Sequence, residues 1–351
     1  MRKFLFVIFC SLFAFCDKGN NKQIKLESYA KYGDFFILAD DRLIQHQMKE
    51  TFLNVFSAEE ENLLPPKPRK FLPRFLPLDQ MGNFTRRYFN SIILLDNKSK
   101  DYFLSLFDRQ TGQNLLQKIN EKNAFGFVIN NLWAKPQKTL IIYAENQNSL
   151  LEKIVKNQEK LIQYVEQAEL SVGENKMFPL GKASNSSFIK MKKSRKFALP
   201  LHPYYRLALN KKEMLWYRRN SKKMDYAICI YEEPFASESQ FELNYIKKMR
   251  NQKTKKFLKG QLDNTYVEID PEIDCSFTKE NFSGMPCYTL KGWWSMKNDF
   301  MAGPFITRTI FDQKNKRVIT IDGHLYGPEV GNKINHLREL EVYIHTFEPS
   351  L

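Results

Sequence analysis

Apolar runs of strand length alternate with helical repeats along the first half of the chain. The runs occupy residues 34–39, 88–95, 125–133 and 139–143, and the helical repeats occupy residues 43–56, 101–120 and 148–170. Five prolines in residues 65–77 predict an irregular connector, because proline lacks the N–H group that a helix or a central strand needs. This half therefore predicts strands interspersed with amphipathic helices.

The second half of the chain reads mainly as strands. They are predicted at residues 197–209, 214–218, 226–231, 288–296, 303–311 and 318–326. One amphipathic helix is predicted behind Ser237 and Gln240, which have capping-box spacing, and another from about Lys333. In both halves, strands outnumber the helices that could connect parallel neighbours. The sequence therefore predicts an α+β fold of two modules, each a mostly antiparallel sheet covered by helices on one face.

The first sixteen residues have the layout of an export signal that ends in a cysteine. Arg2 and Lys3 precede twelve uncharged, mostly apolar residues, and Cys16 follows them. Twelve residues rise only about 18 Å as a helix, too little for a hydrocarbon core of about 30 Å. We therefore predict a signal peptide, lipid attachment at Cys16 and a lipid-anchored protein of the cell envelope. Phe15 stands where such signals usually have a small residue, so ordinary secretion and an uncleaved anchor stay open.

Changes in composition divide the chain into segments. An Asn- and Lys-rich stretch follows Cys16, and apolar periodicity fades again between the two halves. The predicted segments are a signal peptide (1–15), a flexible tether (16–32), an N-terminal module (33–170), a linker (171–195) and a C-terminal module (196–351).

The chain is basic, which favours anionic partners. Its formal net charge of +15 falls to +13 when Arg2 and Lys3 leave with the signal peptide. An exported protein meets lipid phosphates, acidic glycans and envelope proteins more often than nucleic acid, so these are the predicted partners and nucleic acid ranks last. The basic clusters at residues 190–196, 218–223 and 247–259 are also explained by solvated loops and helix faces.

Familiar catalytic and metal-binding motifs are missing from the sequence. It contains no nucleophile elbow, phosphate-binding loop or dinucleotide fingerprint, and no histidine pair at ligand spacing. We predict no cofactor, no metal site and no catalytic residues, and the sequence leaves open whether the chain is an enzyme. Asp322 and His324 alternate along one predicted strand and are the weak candidates for a polar site. Cys275 and Cys287 could form a disulfide, and Cys229 reads as a buried free thiol.

Aromatic residues next to glycine and proline are the most unusual feature of the C-terminal module. Two adjacent tryptophans, Trp293 and Trp294, lie shortly before a Gly-Pro step. Large amphipathic rings beside closely approachable backbone suit a cleft or a protein interface, although an apolar core explains them equally well. The candidate interaction surface comprises Trp133, Trp293, Trp294, Phe305 and Tyr326.

Several of these segments carry a family resemblance. They are Leu132–Gln137, Gly292–Met296, Met301–Phe305, Tyr326–Pro328 and Arg338–Glu341, together with the lipoprotein-like start. In this order they resemble a family of Bacteroidota lipoproteins, the domain of unknown function DUF4837, over nearly the whole chain. The resemblance implies an envelope lipoprotein and offers no reaction.

The sequence leaves two functions open. The first is a noncatalytic binding or assembly module tethered to a membrane, which the anchor, the charge and the missing motifs favour. The alternative is an envelope hydrolase or glycan-processing enzyme whose site is assembled from distant residues such as Asp322, His324 and Tyr326.

Overall fold

The structure is a computed structural model that describes residues 25–29, 31–60, 63–65, 67–121, 125–282 and 285–349. The predicted signal peptide, Cys16 and most of the predicted tether lie outside these residues. In the described part of the chain, no helix is both long enough and apolar enough to cross a bilayer.

The N-terminal module is built from short strands and helices that alternate along the chain. Its strands are β1 (Leu26–Glu27), β2 (Asp34–Ala39), β3 (Leu72–Pro77), β4 (Asn90–Leu95), β5 (Phe127–Asn130), β6 (Ala134–Lys135) and β7 (Lys138–Tyr143). Its helices are α1 (His46–Val55), α2 (Asn83–Arg86), α3 (Lys100–Ser105), α4 (Arg109–Asn120), α5 (Gln147–Lys156) and α6 (Gln158–Met177).

The main sheet of this module is mostly parallel, which corrects the predicted antiparallel arrangement. Its order is β3-β2-β4-β7-β5, and β5 alone within it pairs antiparallel. Helices α1, α5 and α6 cover one face, and α3 and α4 cover the other. The central strands β2 and β4 are buried along their whole length. Such continuous apolar runs are typical of parallel strands that lie between two helical layers.

Two segments predicted as irregular or flexible form strands. Within residues 65–77, β3 pairs with β2 at the sheet edge, where its prolines are tolerated. Near the end of the predicted tether, β1 pairs with β6. Ser28 is buried beside it. The tether prediction is therefore wrong for the described residues from Lys25 onward.

The C-terminal module has longer strands and fewer helices. Its strands are β8 (Arg206–Lys211), β9 (Met214–Asn220), β10 (Asp225–Pro234), β11 (Tyr266–Ile269), β12 (Ser276–Phe282), β13 (Met285–Lys297), β14 (Ala302–Asp312) and β15 (Arg317–Tyr326). Its helices are α7 (Ser186–Arg195), α8 (Leu243–Phe257) and α9 (Ile334–His345). Short 3₁₀ helices occur in the two modules at Asp41–Ile44, Leu78–Gln80, Lys182–Ser184, Glu238–Phe241 and Gln313–Asn315.

These strands form one antiparallel sheet, and the α+β prediction is confirmed. The sheet order is β11-β13-β14-β15-β10-β9-β8, with β12 also paired to β13. Helix α9 packs on one face and α8 on the other. Helices therefore cover both faces rather than the predicted one, because the sheet has an apolar layer on each side.

The segment predicted as a linker is largely helical and joins the modules closely. It contains the end of α6 and all of α7. Helix α6 packs against α9 at Gly173, where an added Cβ would lie 2.7 Å from Val342 Cγ2. Glycine thus permits this close approach between a helix of each module.

Candidate functional site

A cavity of about 560 Å³ opens on the α8 face of the C-terminal sheet. Its walls come from β9, β10, β11, β13 and β15, from the chain that follows α8 and from the loop between β13 and β14. The apolar and aromatic lining consists of Trp216, Tyr226, Ala227, Leu258, Leu262, Val267, Trp294, Met296, Met301 and Tyr326. A largely apolar cavity of this size lies within the range of small-molecule sites.

The alternation of β13 and β15 places the aromatic wall. Trp294 lies directly opposite Gly303 in the register of β13 and β14, and its indole N–H donates to the Leu325 carbonyl oxygen at 3.0 Å. A Cβ at Gly303 would collide with that same oxygen. The Trp294 ring lies 5.6 Å from the His324 ring and 6.3 Å from the Tyr326 ring, centroid to centroid. The Gly-Pro motif therefore makes room for the tryptophan that forms the cavity wall.

Two polar groups of the cavity wall are buried without a hydrogen bond. They are Trp216 Nε1 and His324 Nδ1, which have no partner within the described residues. Burial lowers the pKa of His324 to about 4. The Asp322 carboxylate raises this pKa, while the positive charges of Arg250 and Arg218 lower it further. The imidazole is therefore neutral near pH 7, and both rings carry unpaired polar atoms in residues that line the cavity.

A fully buried ion pair lies beneath His324. Arg250 of α8 donates from Nε to Asp322 Oδ1 at 3.1 Å, and Thr307 Oγ1 donates to the same oxygen at 3.1 Å. The guanidinium carbon lies 3.9 Å from the centroid of the Phe305 ring. The second oxygen, Asp322 Oδ2, has no hydrogen bond among the described residues and lies 3.8 Å from His324 Nδ1.

Cys229 adjoins this pair from the neighbouring strand. It lies opposite Asp322 in the register of β10 and β15, and it is fully buried. Burial, and next the Asp322 carboxylate, raise the pKa of the Cys229 thiol well above its ordinary value. The thiol form is favoured, so the geometry does not present an activated thiolate nucleophile. Cys229, Cys275 and Cys287 are all free, and the disulfide considered for the last two is not formed.

The residues of the predicted interaction surface are divided between two modules and two sheet faces. Trp294 and Tyr326 border the cavity, and Phe305 is fully buried below it. Trp293 points to the opposite face and packs in the core under α9. Trp133 lies in the N-terminal module, where its ring stacks on Phe107 at 6.0 Å. The set therefore does not form one exposed contact surface, because adjacent strand residues face opposite ways.

Sequence reasoning missed several residues of the site. Trp216 and Arg250 carried no distinctive spacing, Met301 stood out only as part of the Met301–Phe305 motif, and Cys229 was predicted only as a buried free thiol. The proximity of Cys229 to Asp322 depends on the pairing of β10 with β15. No local pattern encodes that pairing, so the polar cluster could not be found from motif spacing.

A second cluster of charges fixes the contact between the modules. Arg338 of α9 donates to Glu60 Oε2 at 2.8 Å and also pairs with Glu341. Lys291 pairs with Glu341 at 2.6 Å. Arg338 Nε lies 3.8 Å from Glu169 Oε2, and burial raises the pKa of Glu169 to about 7. The Arg338–Glu341 motif is thus explained by a buried ionic network rather than by a ligand.

Comparisons with known proteins bear on the two modules separately. No curated protein matched the chain. A matching solved structure is the crystal structure of human STARD10, which is 6% identical, with a TM-score of 0.24. That match covers 45% of this chain and 73% of that chain, and its TM-score is too low to carry an argument.

Two family models match consecutive parts of the chain. Residues 28–178 match the domain of unknown function DUF8532. The match to DUF4837 covers a shorter part of the chain than the motifs predicted, since it begins at residue 184. Residues 184–346, which contain the whole cavity, resemble the domain of unknown function DUF4837.

Proposed function

We propose that the chain is a membrane-tethered envelope protein whose C-terminal module binds a small, largely apolar ligand without transforming it. The observation that carries the proposal is the cavity bordered by Trp216, Trp294 and Tyr326. Aromatic and thioether side chains offer apolar contact area, while Trp216 Nε1 is an unpaired hydrogen-bond donor in the same wall. A ligand with an apolar body and one polar end would satisfy both.

The geometry favours binding over the alternative, an envelope hydrolase or glycan-processing enzyme. In a hydrolytic dyad, the carboxylate would hold the imidazole by a hydrogen bond. Here the closest approach between Asp322 Oδ2 and His324 Nδ1 is 3.8 Å, and Asp322 Oδ1 is instead held by Arg250 and Thr307. These partners suit a fixed wall better than a proton relay.

The cavity wall carries charges of both signs. Arg218 and Lys259 are balanced by Asp225 and Asp299. Net charge at the wall therefore does not select the ligand, and shape with apolar contact would dominate. The basic surface outside the cavity has its own predicted partners. They are an envelope protein, an anionic glycan or a lipid.

A cavity-filling substitution tests the binding proposal. We expect 1-anilinonaphthalene-8-sulfonate, an aromatic dye with one sulfonate group, to bind the purified full-length chain and to accept excitation energy from the tryptophans. Ala227→Phe places a ring in the cavity, so the dye can no longer bury its apolar surface there. Dye binding should weaken at least about tenfold, which corresponds to about 1.4 kcal/mol of binding free energy. Fluorescence titration measures both affinities.

The control for this experiment is Phe300→Ser. Phe300 is fully exposed on the loop between β13 and β14, so it is a candidate for dye binding at the surface. Dye affinity should be unchanged in this variant. Equal dye binding by the wild-type chain and a folded Ala227→Phe variant would contradict the proposal, as would loss of binding in Phe300→Ser alone. Met301→Trp gives a second cavity-filling variant.

The proposed anchor is tested separately. We expect cells fed an alkyne-bearing fatty acid to label the wild-type chain at Cys16, and Cys16→Ser to abolish the label, because the acyl chains require that sulfur. Cys10→Ser, in the same apolar run, is the matched control and should keep the label. Gel fluorescence after click coupling measures it. A processed but unlabelled wild-type chain would support ordinary secretion instead.

A further inference from the structure

The buried polar cluster under the cavity has the composition of a metal site. We propose that Cys229, Asp322 and His324 together bind one divalent metal ion, and that zinc is the ion this ligand set favours. Thiolate, imidazole and carboxylate are the protein ligands that Zn²⁺ commonly takes, and three of them leave a fourth position for water or another ligand.

The pairing of β10 with β15 brings the three ligands together. Cys229 lies opposite Asp322, and Ala227 lies opposite His324, so all three ligand side chains belong to one face of two adjacent strands. Their ligand atoms all lie within 4.8 Å of one another. Ligand atoms around a tetrahedral zinc ion are roughly 3.5 Å apart, so a contraction of about 1 Å would close the site.

Two of the three ligand atoms have no other use in the described part of the chain. Asp322 Oδ2 and His324 Nδ1 are buried and make no hydrogen bond there, and their side chains are 0% and 9% exposed. Leaving a buried polar atom unpaired is costly, so such atoms call for a partner that the protein alone does not supply. A metal ion between them would satisfy both at once.

The surroundings of Asp322 also suit a metal-binding carboxylate. Arg250 Nε and Thr307 Oγ1 both donate to Oδ1, which fixes the carboxylate and leaves Oδ2 directed at the other ligands. Hydrogen bonds of this kind orient ligands in metal sites. His324 borders the cavity, so the cavity provides the access path.

The net charge of the metal-bound cluster indicates which kind of fourth ligand would complete the site. Without metal, the Asp322 carboxylate balances the Arg250 guanidinium, and Cys229 is a neutral thiol. On binding, the S–H bond is replaced by a sulfur–zinc bond, and the proton passes to solvent. The cluster then carries one net positive charge, with Arg218 as a further nearby cation. A hydroxide or another anionic fourth ligand, reaching the ion from the cavity, would neutralise it.

Cobalt(II) provides the test, because a cobalt–thiolate bond produces a near-ultraviolet charge-transfer band. The full-length chain is purified in detergent with a non-thiol reductant, stripped with a chelator and titrated with Co²⁺. We expect one Co²⁺ per chain, a charge-transfer band and its loss on adding Zn²⁺. Cys229→Ser should abolish the band. Cys287→Ser removes another buried thiol outside the cluster and should keep the band.

Two further variants keep the proposal falsifiable if Cys229→Ser does not fold. His324→Ala should weaken Co²⁺ binding at least about tenfold, and Thr307→Val, which removes a hydrogen bond to a ligand, should weaken it about 10–100-fold. Absence of the band in the folded wild-type chain would overturn the proposal, as would a band that survives Cys229→Ser or disappears in Cys287→Ser. Unchanged affinity in His324→Ala would overturn it as well. Dye binding to the cavity is measured without metal, so the two proposals fail independently.

Discussion

Replacing Arg338 with methionine is expected to lower the free energy of unfolding by about 3–5 kcal/mol, the cost of removing one partner from a buried ion pair. Arg338 is 5% exposed and pairs with Glu60, Glu341 and Glu169. Methionine preserves most of the volume but leaves Glu60 and Glu341 to share one remaining ion-pair partner, Lys291, among the described residues. Chemical denaturation followed by circular dichroism measures the change.

The matched control for Arg338→Met is Lys256→Met. Lys256 also pairs with a glutamate, Glu213, but both side chains are at least half exposed. Its removal should leave the denaturation midpoint unchanged, because solvent screens such pairs. Adding Glu60→Gln to Arg338→Met should restore part of the lost stability, since it removes one excess negative charge and leaves the closer pair of Lys291 with Glu341 intact. Equal midpoints for Arg338→Met and Lys256→Met would contradict a structural role for the network.

The two sheets differ in how far the sequence predicted them. Strands β13, β14 and β15 were placed within three residues of their ends, and their antiparallel order follows from short connections. In the N-terminal module β2, β4, β5 and β7 were also predicted, but β1, β3 and β6 were not, and the predicted antiparallel pairing was wrong for the main sheet. The continuous burial of β2 and β4 is typical of a parallel sheet. The antiparallel prediction rested instead on there being more predicted strands than connecting helices.

In the candidate site, too, local sequence predicted some residues, while the others depend on contacts between distant parts of the chain. Trp294, His324 and Tyr326 were found because they belong to unusual local sequence, and strand alternation was enough to put His324 and Tyr326 on one face. Their relation to Cys229 and Arg250 required the pairing of β10 with β15 and the packing of α8. Contacts across about 70–90 residues are set by tertiary structure, which no spacing rule supplies.

Trp294 was predicted as part of a contact surface, but its burial predicts a larger effect on folding than on recognition. Trp294→Ala should lower the free energy of unfolding by about 3–5 kcal/mol, because a residue 2% exposed would leave a void beside Phe305 and Met296. Urea denaturation measures this change. A variant with weakened partner capture would therefore have to be shown to be folded first.

Trp294→Phe separates packing from hydrogen bonding at this position. It keeps most of the apolar ring but removes the N–H that donates to the Leu325 carbonyl oxygen. We expect a loss of about 1 kcal/mol, the usual net value of one hydrogen bond, plus a small packing term. The alanine variant should thus be several times more destabilised than the phenylalanine variant. If both lose the same stability, the hydrogen bond to Leu325 rather than ring burial holds the cavity wall, and Gly303 would matter chiefly for exposing that carbonyl oxygen to the indole.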